Sequence, residues 1–183
     1  MSRDSLLGSL EGFISAMIER RALERMFVAV NDLQKKIPLN TSQIKKIIKI
    51  ILRHEKVSEV LLSVLFVTNQ KIRVFNRKFL GRNNATDVLA FDSTDEEVSY
   101  QVSQKSVKEI NGDIIISTDA AIKNAKSFNT SVEQELVLYV VHGILHLLGY
   151  DDHSKTNILK IRKKEEEIIK ILTKDLGKVL GKK

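Results

Sequence analysis

The chain has 183 residues, of which 43% are hydrophobic and 29% are charged, values typical of a soluble globular protein. It contains no cysteine, which excludes disulfides and thiolate metal ligands and fits a reducing compartment. No apolar run approaches the ~18 residues that a membrane-spanning helix needs, so no membrane association is expected and the cytoplasm is the expected location.

The net charge of +7 is unevenly distributed along the chain. Residues 35–82 hold twelve Lys or Arg against two Asp or Glu, a net charge of +10, whereas residues 92–113 hold two bases against six acids, a net charge of −4. A basic segment of this strength fits a polyanionic partner such as nucleic acid, or else a solvated helix face. Residues 176–183, LGKVLGKK, are interpreted as a basic tail without a binding role.

Hydrophobic periodicity and capping residues predict helices and strands that alternate along most of the chain. In chain order, the predicted elements are a helical extension (1–25), a strand (27–31), a helix (41–53, capped by Asn40 or Thr41), a strand (61–67), a helix (68–79), strands (87–92 and 112–117) and helices (118–126, 132–148 and 155–172). Residues 93–111 are polar and lack a sustained period, so a loop or irregular hairpin is expected there. The pattern predicts an α+β fold, a small mixed β-sheet of about four strands covered by helices.

Three of the four histidines lie within the twelve residues HGILHLLGYDDH, from His142 to His153. His142 and His146 are four residues apart, so on a helix their directions differ by only about 40°. The helix that carries them is apolar almost all round and is therefore expected to be buried, with Glu135 and Tyr139 on the same polar stripe. Because burial of these groups is unfavourable unless they bind a partner, the sequence predicts a metal site on this helix and the following turn.

The third metal ligand has two candidates. Asp152 would give a two-histidine, one-carboxylate set and His153 a three-histidine set, and zinc accepts both. Gly143 stands where the HExxH peptidase motif has its glutamate, which argues against a metallopeptidase. Asp151, Glu135 and the unused member of the Asp152/His153 pair are candidates for a general base. The alternative is that His142 and His146 are core histidines bonded to backbone or carboxylate groups.

Three motifs resemble those of the YbeY family of bacterial endoribonucleases and rRNA maturation factors. HGILHLLGYDDH is similar to that family's H-G-x-L-H-L-x-G-Y-D-H, and residues 76–91 are similar to its N-x-x-Y-R-x-x-x-x-P-T-D-V-L-S-F. GDIIIS at 112–117 also matches. The resemblance covers residues 27–172, so residues 26–175 are predicted to be a metallo-endoribonuclease domain. Residues 1–25 are then either an extension or an artefact of the assigned start site.

The resemblance implies metal-dependent cleavage of single-stranded RNA, with roles in 16S rRNA 3′-end maturation and ribosome quality control. It implies one zinc ion per chain, although another divalent metal fits too. It also implies single-stranded RNA or rRNA and the ribosome or small-subunit proteins as partners, and no DNA. His142 and His146 are the implied ligands and catalytic residues, and the family's third histidine falls on Asp152, with His153 as the alternative.

The basic loop departs from the family pattern at two positions. Leu80 stands where the family often has arginine, and Ala85 replaces proline. Arg77, Lys78 and Arg82 are the candidate RNA-binding residues, as phosphate contacts. At 5% aromatic residues, the sequence does not predict a platform for base stacking.

A rival prediction belongs to another functional class, a non-catalytic rRNA-binding or ribosome-binding assembly factor. In that case the metal only stabilises the fold. An open coordination position favours catalysis, whereas a fourth protein ligand favours a structural site.

Overall fold

A computed structural model describes residues 26–93 and 108–176. Four strands and five helices are formed by these residues. The strands are β1 (Met26–Asp32), β2 (Val57–Val67), β3 (Val88–Asp92) and β4 (Lys108–Ser117), and the helices are α1 (Thr41–His54), α2 (Asn69–Leu80), α3 (Thr118–Phe128), α4 (Val132–Leu147) and α5 (Lys155–Leu176). The predicted α+β class with a four-stranded sheet is confirmed.

The sheet is mixed and has the strand order β1-β2-β4-β3. β1, β2 and β4 run parallel, and β3 pairs antiparallel with β4 at the edge. Both faces of β4 are buried, because Ile114 and Ile116 belong to the main core while Ile115 belongs to a smaller cluster on the opposite face. A strand with both faces buried reads as a continuous apolar run, which is how GDIIIS appears in the sequence.

Helices cover the two faces unequally. The main core joins one face of the sheet to α1, α4 and α5, with Ile48, Val140 and Ile168 among its fully or almost fully buried residues. On the other face, Ile72 of α2 packs with Val67, Leu89 and Ile115. α4 therefore packs against the sheet, α1, α3 and α5, while His142 and His146 on its polar stripe stay partly exposed. None of the helices that the structure describes is long and apolar enough to cross a membrane.

The helix starts follow the capping chemistry of the sequence. Asn40, rather than Thr41, caps α1, and its side chain accepts a hydrogen bond from the backbone N–H of Gln43 at 3.0 Å. At α4 the capping box is the one formed by Ser131 and Gln134, in which each side chain accepts a hydrogen bond from the other residue's backbone N–H.

Two strand starts differ from the prediction. β2 begins at Val57 rather than residue 61, and β4 begins at Lys108, within a stretch expected to be a loop. These polar starts pair with each other, with a register irregularity between Val57 and Glu59. Hydrogen bonding between β2 and β4, rather than hydrophobicity, extends both strands. Hydrophobic periodicity therefore did not predict these strand starts.

The C-terminal helix is also longer than predicted. α5 continues to Leu176 instead of ending at residue 172. The helical extension predicted over 1–25, most of the loop predicted over 93–111 and all but the first residue of the tail predicted over 176–183 lie outside the described residues.

Candidate metal centre

The chain reverses sharply at the end of α4. Gly149 has a φ of 86°, and its N–H donates to the carbonyl oxygen of His146, while the N–H of Tyr150 donates to that of Leu145. This is the Schellman arrangement, in which a left-handed residue satisfies the last carbonyls of a helix. Because glycine adopts this conformation without strain, the turn directs the chain from Tyr150 back past the histidines.

His142, His146 and Asp152 converge in the structure. One potential ligand atom from each lies within 4.8 Å of those of the other two, so this group could hold a metal ion. The Nε2 atoms of the two imidazoles are 2.9 Å apart, and the rings are nearly perpendicular. Two nitrogens from one helix and a carboxylate from the next turn form a donor set that suits a divalent cation with an open coordination position.

Partners on the far side of each ring favour the tautomer that a metal ligand needs. The Nδ1 atom of His142 lies 2.6 Å from Oε1 of Glu165 on α5, so Nδ1–H donates to the carboxylate and the lone pair of Nε2 faces His146. The ring of His146 is hydrogen-bonded to the backbone of Tyr150. Carboxylate and backbone partners of this kind orient metal-ligating histidines in many proteins.

The electrostatics separate the two histidines. Burial lowers the pKa of His142, but the hydrogen bond and the charge of Glu165 outweigh this effect and raise the pKa above its ordinary value. Burial and the neighbouring His142 lower the pKa of His146, so its ring is held neutral. The lowered pKa of His146 favours its neutral ring, the form that binds a metal, whereas the raised pKa of His142 means that this ring holds its proton more tightly.

Asp151 and His153 lie outside this group. The carboxylate of Asp151 accepts hydrogen bonds from Nδ2 of Asn157 at 2.8 Å and from the backbone N–H of His153 at 3.0 Å. These bonds lower the pKa of Asp151, which makes it a weaker base. Asp151 thus shapes the turn that leads into α5, and the structure brings Asp152 rather than His153 to the two histidines.

The polar stripe of α4 continues away from the histidines. Glu135 is buried and accepts a hydrogen bond from Oγ1 of Thr130, and Nδ2 of Asn124 donates to the hydroxyl oxygen of Tyr139 at 2.7 Å. Burial and the charges of Asp87 and Glu135 raise the pKa of Tyr139 to about 12. Glu135, a candidate base in the sequence, is therefore part of a network next to the histidines rather than one of the converging groups.

A cavity of about 500 Å³ lies between α4 and α5 beside these residues. Glu165 lines it, so the cavity adjoins the carboxylate that contacts His142. Sequence reasoning did not assign a role to Glu165. Its only signal was an acidic position in the last helix, and a contact across 23 residues cannot be read from spacing.

Gly143 is explained by close packing of α4 against the sheet. A Cβ atom at this position would lie 2.7 Å from Cγ2 of Ile114 on β4, which is fully buried. A glutamate, which the HExxH motif requires at this position, would overlap the side chain of Ile114 unless the packing shifted.

The predicted RNA-binding residues lie at the end of α2 and in the loop after it. Arg77, Lys78 and Arg82 are exposed, and Nζ of Lys78 is 5.3 Å from the ring centroid of Phe79. Phe79 is 54% exposed and contacts both Phe75 and Phe91. An exposed aromatic ring beside basic residues is a feature that the low aromatic content did not lead us to expect.

Known proteins are similar to this chain in both sequence and fold. A family model described as Endoribonuclease YbeY matches residues 29–173. The chain is 35% identical over 158 residues to Endoribonuclease YbeY of Syntrophus aciditrophicus (strain SB), covering 84% of this chain and 95% of the relative. The chain belongs to the YbeY endoribonuclease family. This membership supports the predicted enzyme class, a nuclease that hydrolyses phosphodiester bonds in RNA.

A further relative and a solved structure are also similar to this chain. Endoribonuclease YbeY of Clostridium botulinum (strain Alaska E43 / Type E3) is 35% identical over 163 residues, covering 79% of this chain and 97% of the relative. The solution structure of TM1509 from Thermotoga maritima aligns with a TM-score of 0.53 at 25% identity, covering 86% of this chain and all of that one.

Proposed function

We propose that this YbeY family member is a metal-dependent endoribonuclease that cleaves single-stranded RNA, with zinc as the resident ion. We further propose that it acts in the cytoplasm on 16S rRNA 3′ ends and in ribosome quality control, with the ribosome or small-subunit proteins as partners. The observation that carries the proposal is the convergence of His142, His146 and Asp152 within 4.8 Å. A carboxylate in place of a third imidazole makes the site harder, so other divalent metals compete better with zinc.

The residues divide the work as follows. His142, His146 and Asp152 would hold the cation, which would supply the Lewis acidity that polarises a water molecule or a phosphoryl oxygen. Glu165 keeps a proton on Nδ1 of His142, so that Nε2 remains a ligand. Arg77, Lys78 and Arg82 bind phosphate groups of the substrate and offset negative charge that develops during cleavage.

Asp151 is proposed to act on the turn rather than in proton transfer. Its bonds to Asn157 and to the backbone of His153 hold the segment that presents Asp152. Asp152 is favoured as the third ligand over His153, because His153 is outside the converging group.

Cleavage of an unstructured RNA by metal-replete protein tests the function. We expect His142→Ala and His146→Ala to abolish cleavage while the circular dichroism spectrum is retained. His54→Ala is the matched control, since His54 pairs with Glu167 at 2.9 Å, away from the cluster. Unchanged cleavage by the two cluster variants would mean that the observed nuclease is a contaminant.

The identity of the third ligand is tested by elemental analysis of purified variants. We expect Asp152→Ala to lose metal and His153→Ala to keep it. The reverse result would assign the site to three histidines, and retention by both variants would contradict a three-ligand site.

A further inference from the structure

A second cavity lies outside the candidate metal centre, on the outer face of α2. It has a volume of about 190 Å³ and is lined by Gln70, Arg73, Val74, Arg77 and Asn83. We call this the α2 pocket. Lys71, Lys78 and Arg82, the other three basic residues of α2 and the loop after it, do not line it. The pocket is large enough for a phosphate group and too small for a folded partner.

The walls of the α2 pocket are held in place. Nε of Arg73 donates to Oδ1 of Asn83 at 3.0 Å, which fixes the guanidinium plane against the loop that follows α2. That loop is anchored by Asn76, which is only 2% exposed and whose Nδ2 donates to the carbonyl oxygen of Asn84 at 2.8 Å. A guanidinium that is already oriented loses less conformational entropy when it binds a ligand.

The charges in the α2 pocket are not neutralised. Arg73 and Arg77 are one helical turn apart, where two like charges destabilise a helix slightly. Across residues 26–93 and 108–176, neither arginine forms an ion pair, and no carboxylate lines the pocket. Two guanidinium groups and two side-chain amides therefore present hydrogen-bond donors to one small space. Two guanidinium groups without a carboxylate beside them match an oxyanion, and arginine binds phosphate in a bidentate way.

The loop connects the α2 pocket to the metal centre. Asn83 lines the pocket, and β3, which begins at Val88 five residues later, packs against α4, the helix that carries His142 and His146. Five residues of extended chain span at most about 18 Å. A short stretch of single-stranded RNA is thus able to reach both places.

We propose that the α2 pocket, through Arg73 and Arg77, binds a phosphodiester group of the RNA substrate at a distance from the scissile bond. The inference rests on the proposed function. Of the three basic residues proposed there as phosphate contacts, only Arg77 lines this pocket, and Arg73 is a new contact. Gln70 and Asn83 complete the site as amide donors.

The first experiment tests the pocket with inorganic phosphate. The Nε–Hε resonances of Arg73 and Arg77 are followed by NMR during titration of the full chain with phosphate, and again with chloride at equal ionic strength. We expect phosphate-specific shifts of both resonances, and loss of the Arg77 shift in Arg73→Ala. Equal responses to the two anions would contradict the proposal.

The second experiment separates RNA binding from general electrostatics. Affinity for a short single-stranded RNA is measured in EDTA, where the proposed cleavage cannot proceed, over a range of salt concentrations. Arg73→Ala is expected to weaken binding about tenfold, as for one charge-assisted hydrogen bond. Loss of one phosphate contact should also lower the salt dependence, log Kd against log salt, by about 0.7.

Two variants keep the interpretation specific. Lys126→Ala removes one exposed positive charge from α3 and should change affinity less than twofold. Arg73→Lys keeps the charge but not the bidentate geometry, so it should bind nearly as weakly as Arg73→Ala. Equal effects of Arg73→Ala and Lys126→Ala would overturn the proposal, as would phosphate binding without any effect on RNA. RNA binding that depends on Arg73, without cleavage under any metal, would support the pocket while contradicting the proposed function.

Discussion

Glu165 is the residue that links the last helix to the proposed metal ligands. Its contact with Nδ1 of His142 joins α5 to α4 and leaves Nε2 of His142 facing His146, where the proposed cation would bind. Removal of such a partner commonly lowers metal affinity without removing a ligand.

We predict that Glu165→Gln lowers zinc affinity about 10–100-fold, because the amide cannot support a partly charged imidazole as a carboxylate does. Affinity is measured by competition with a chromophoric chelator. Glu166→Gln is the matched control, since Glu166 lines the same cavity but does not contact His142. Equal affinities for the two variants would show that Glu165 has no role in metal binding.

A second prediction concerns Gly143. An alanine methyl group there would meet Ile114, so Gly143→Ala should cost about 1–3 kcal/mol through overpacking. Better helix propensity recovers about 1 kcal/mol, which leaves a net loss of up to about 2 kcal/mol in the free energy of unfolding. Urea denaturation measures this loss.

The double variant Gly143→Ala/Ile114→Ala tests whether the loss of stability comes from the contact with Ile114. Truncation of Ile114 removes the atoms that the methyl group would meet, so the double variant should lose less stability than the sum of the two single variants. A double variant that loses as much stability as the sum of the two single variants would contradict the packing explanation.

At this scale, spacing identified the residues that act within one helix and one turn. His142 and His146 share a face because of the helical repeat, and Gly149 marks the turn that returns Asp152. Spacing alone could not choose between Asp152 and His153, since both follow the turn closely. Nor could it find Glu165 or Arg73, whose roles depend on where a different helix or loop lies in space.

At the scale of elements, a cluster of charged side chains joins α5 to the C-terminal end of α1 and to the first residue of β4. The side chain of Glu55, at the end of α1, is 3% exposed and pairs with Nζ of Lys164 at 2.9 Å. Lys108 of β4 and His54 lie further away, at 3.8 and 3.5 Å. Lys164 is therefore the main compensation for a buried carboxylate.

We predict that Lys164→Met destabilises the protein by about 1–3 kcal/mol, because Glu55 keeps its burial and loses its closest partner. Lys163→Met, at an exposed position on the same helix, serves as the control and should change stability by less than about 0.5 kcal/mol. A loss no greater than that of the control would mean that the pair does not contribute to stability.

The pH dependence of this difference follows from the direction of the pKa shift. Burial lowers the pKa of Lys164, but the hydrogen bonds and charges of Glu55 and Glu167 raise it above its ordinary value. A raised pKa in the folded state gives stabilisation that is complete below the unfolded value, about 10.4, and is lost as the pH rises through the folded value. The difference in the free energy of unfolding between the unaltered protein and Lys164→Met should therefore stay constant above neutral pH and become smaller only in strong alkali.

The elements also show the limit of hydrophobic patterns. Helix starts were predicted to within a residue, because the caps at Asn40 and Ser131 are local. The starts of β2 and β4 were missed, because polar residues there enter the sheet only through pairing with each other. Helix caps can be predicted from a single sequence because they involve neighbouring residues. Strand pairing cannot, because it joins segments that are far apart in the chain.

On the scale of the whole molecule, the core and the metal centre are largely independent. The main cluster of buried residues runs through the sheet, α1, α4 and α5, and it is complete without the metal ligands. His142 and His146 are only partly buried, and Asp152 is exposed. The candidate metal centre thus lies at the edge of a core that is complete without it, an arrangement that favours a functional site over one that drives folding.

We predict that removal of the metal leaves the protein folded but less stable. An ion present at about 100 times its Kd contributes roughly 2.7 kcal/mol, which for a chain of this size corresponds to a fall in Tm of about 5–10 °C on chelation. Thermal unfolding is followed by circular dichroism with zinc and with EDTA, and Asp152→Ala should show little difference between the two conditions. Loss of the near-UV spectrum at 25 °C on chelation would instead favour a structural metal and the non-catalytic alternative. Structural metal sites are usually filled by protein ligands and leave no coordination position open to substrate.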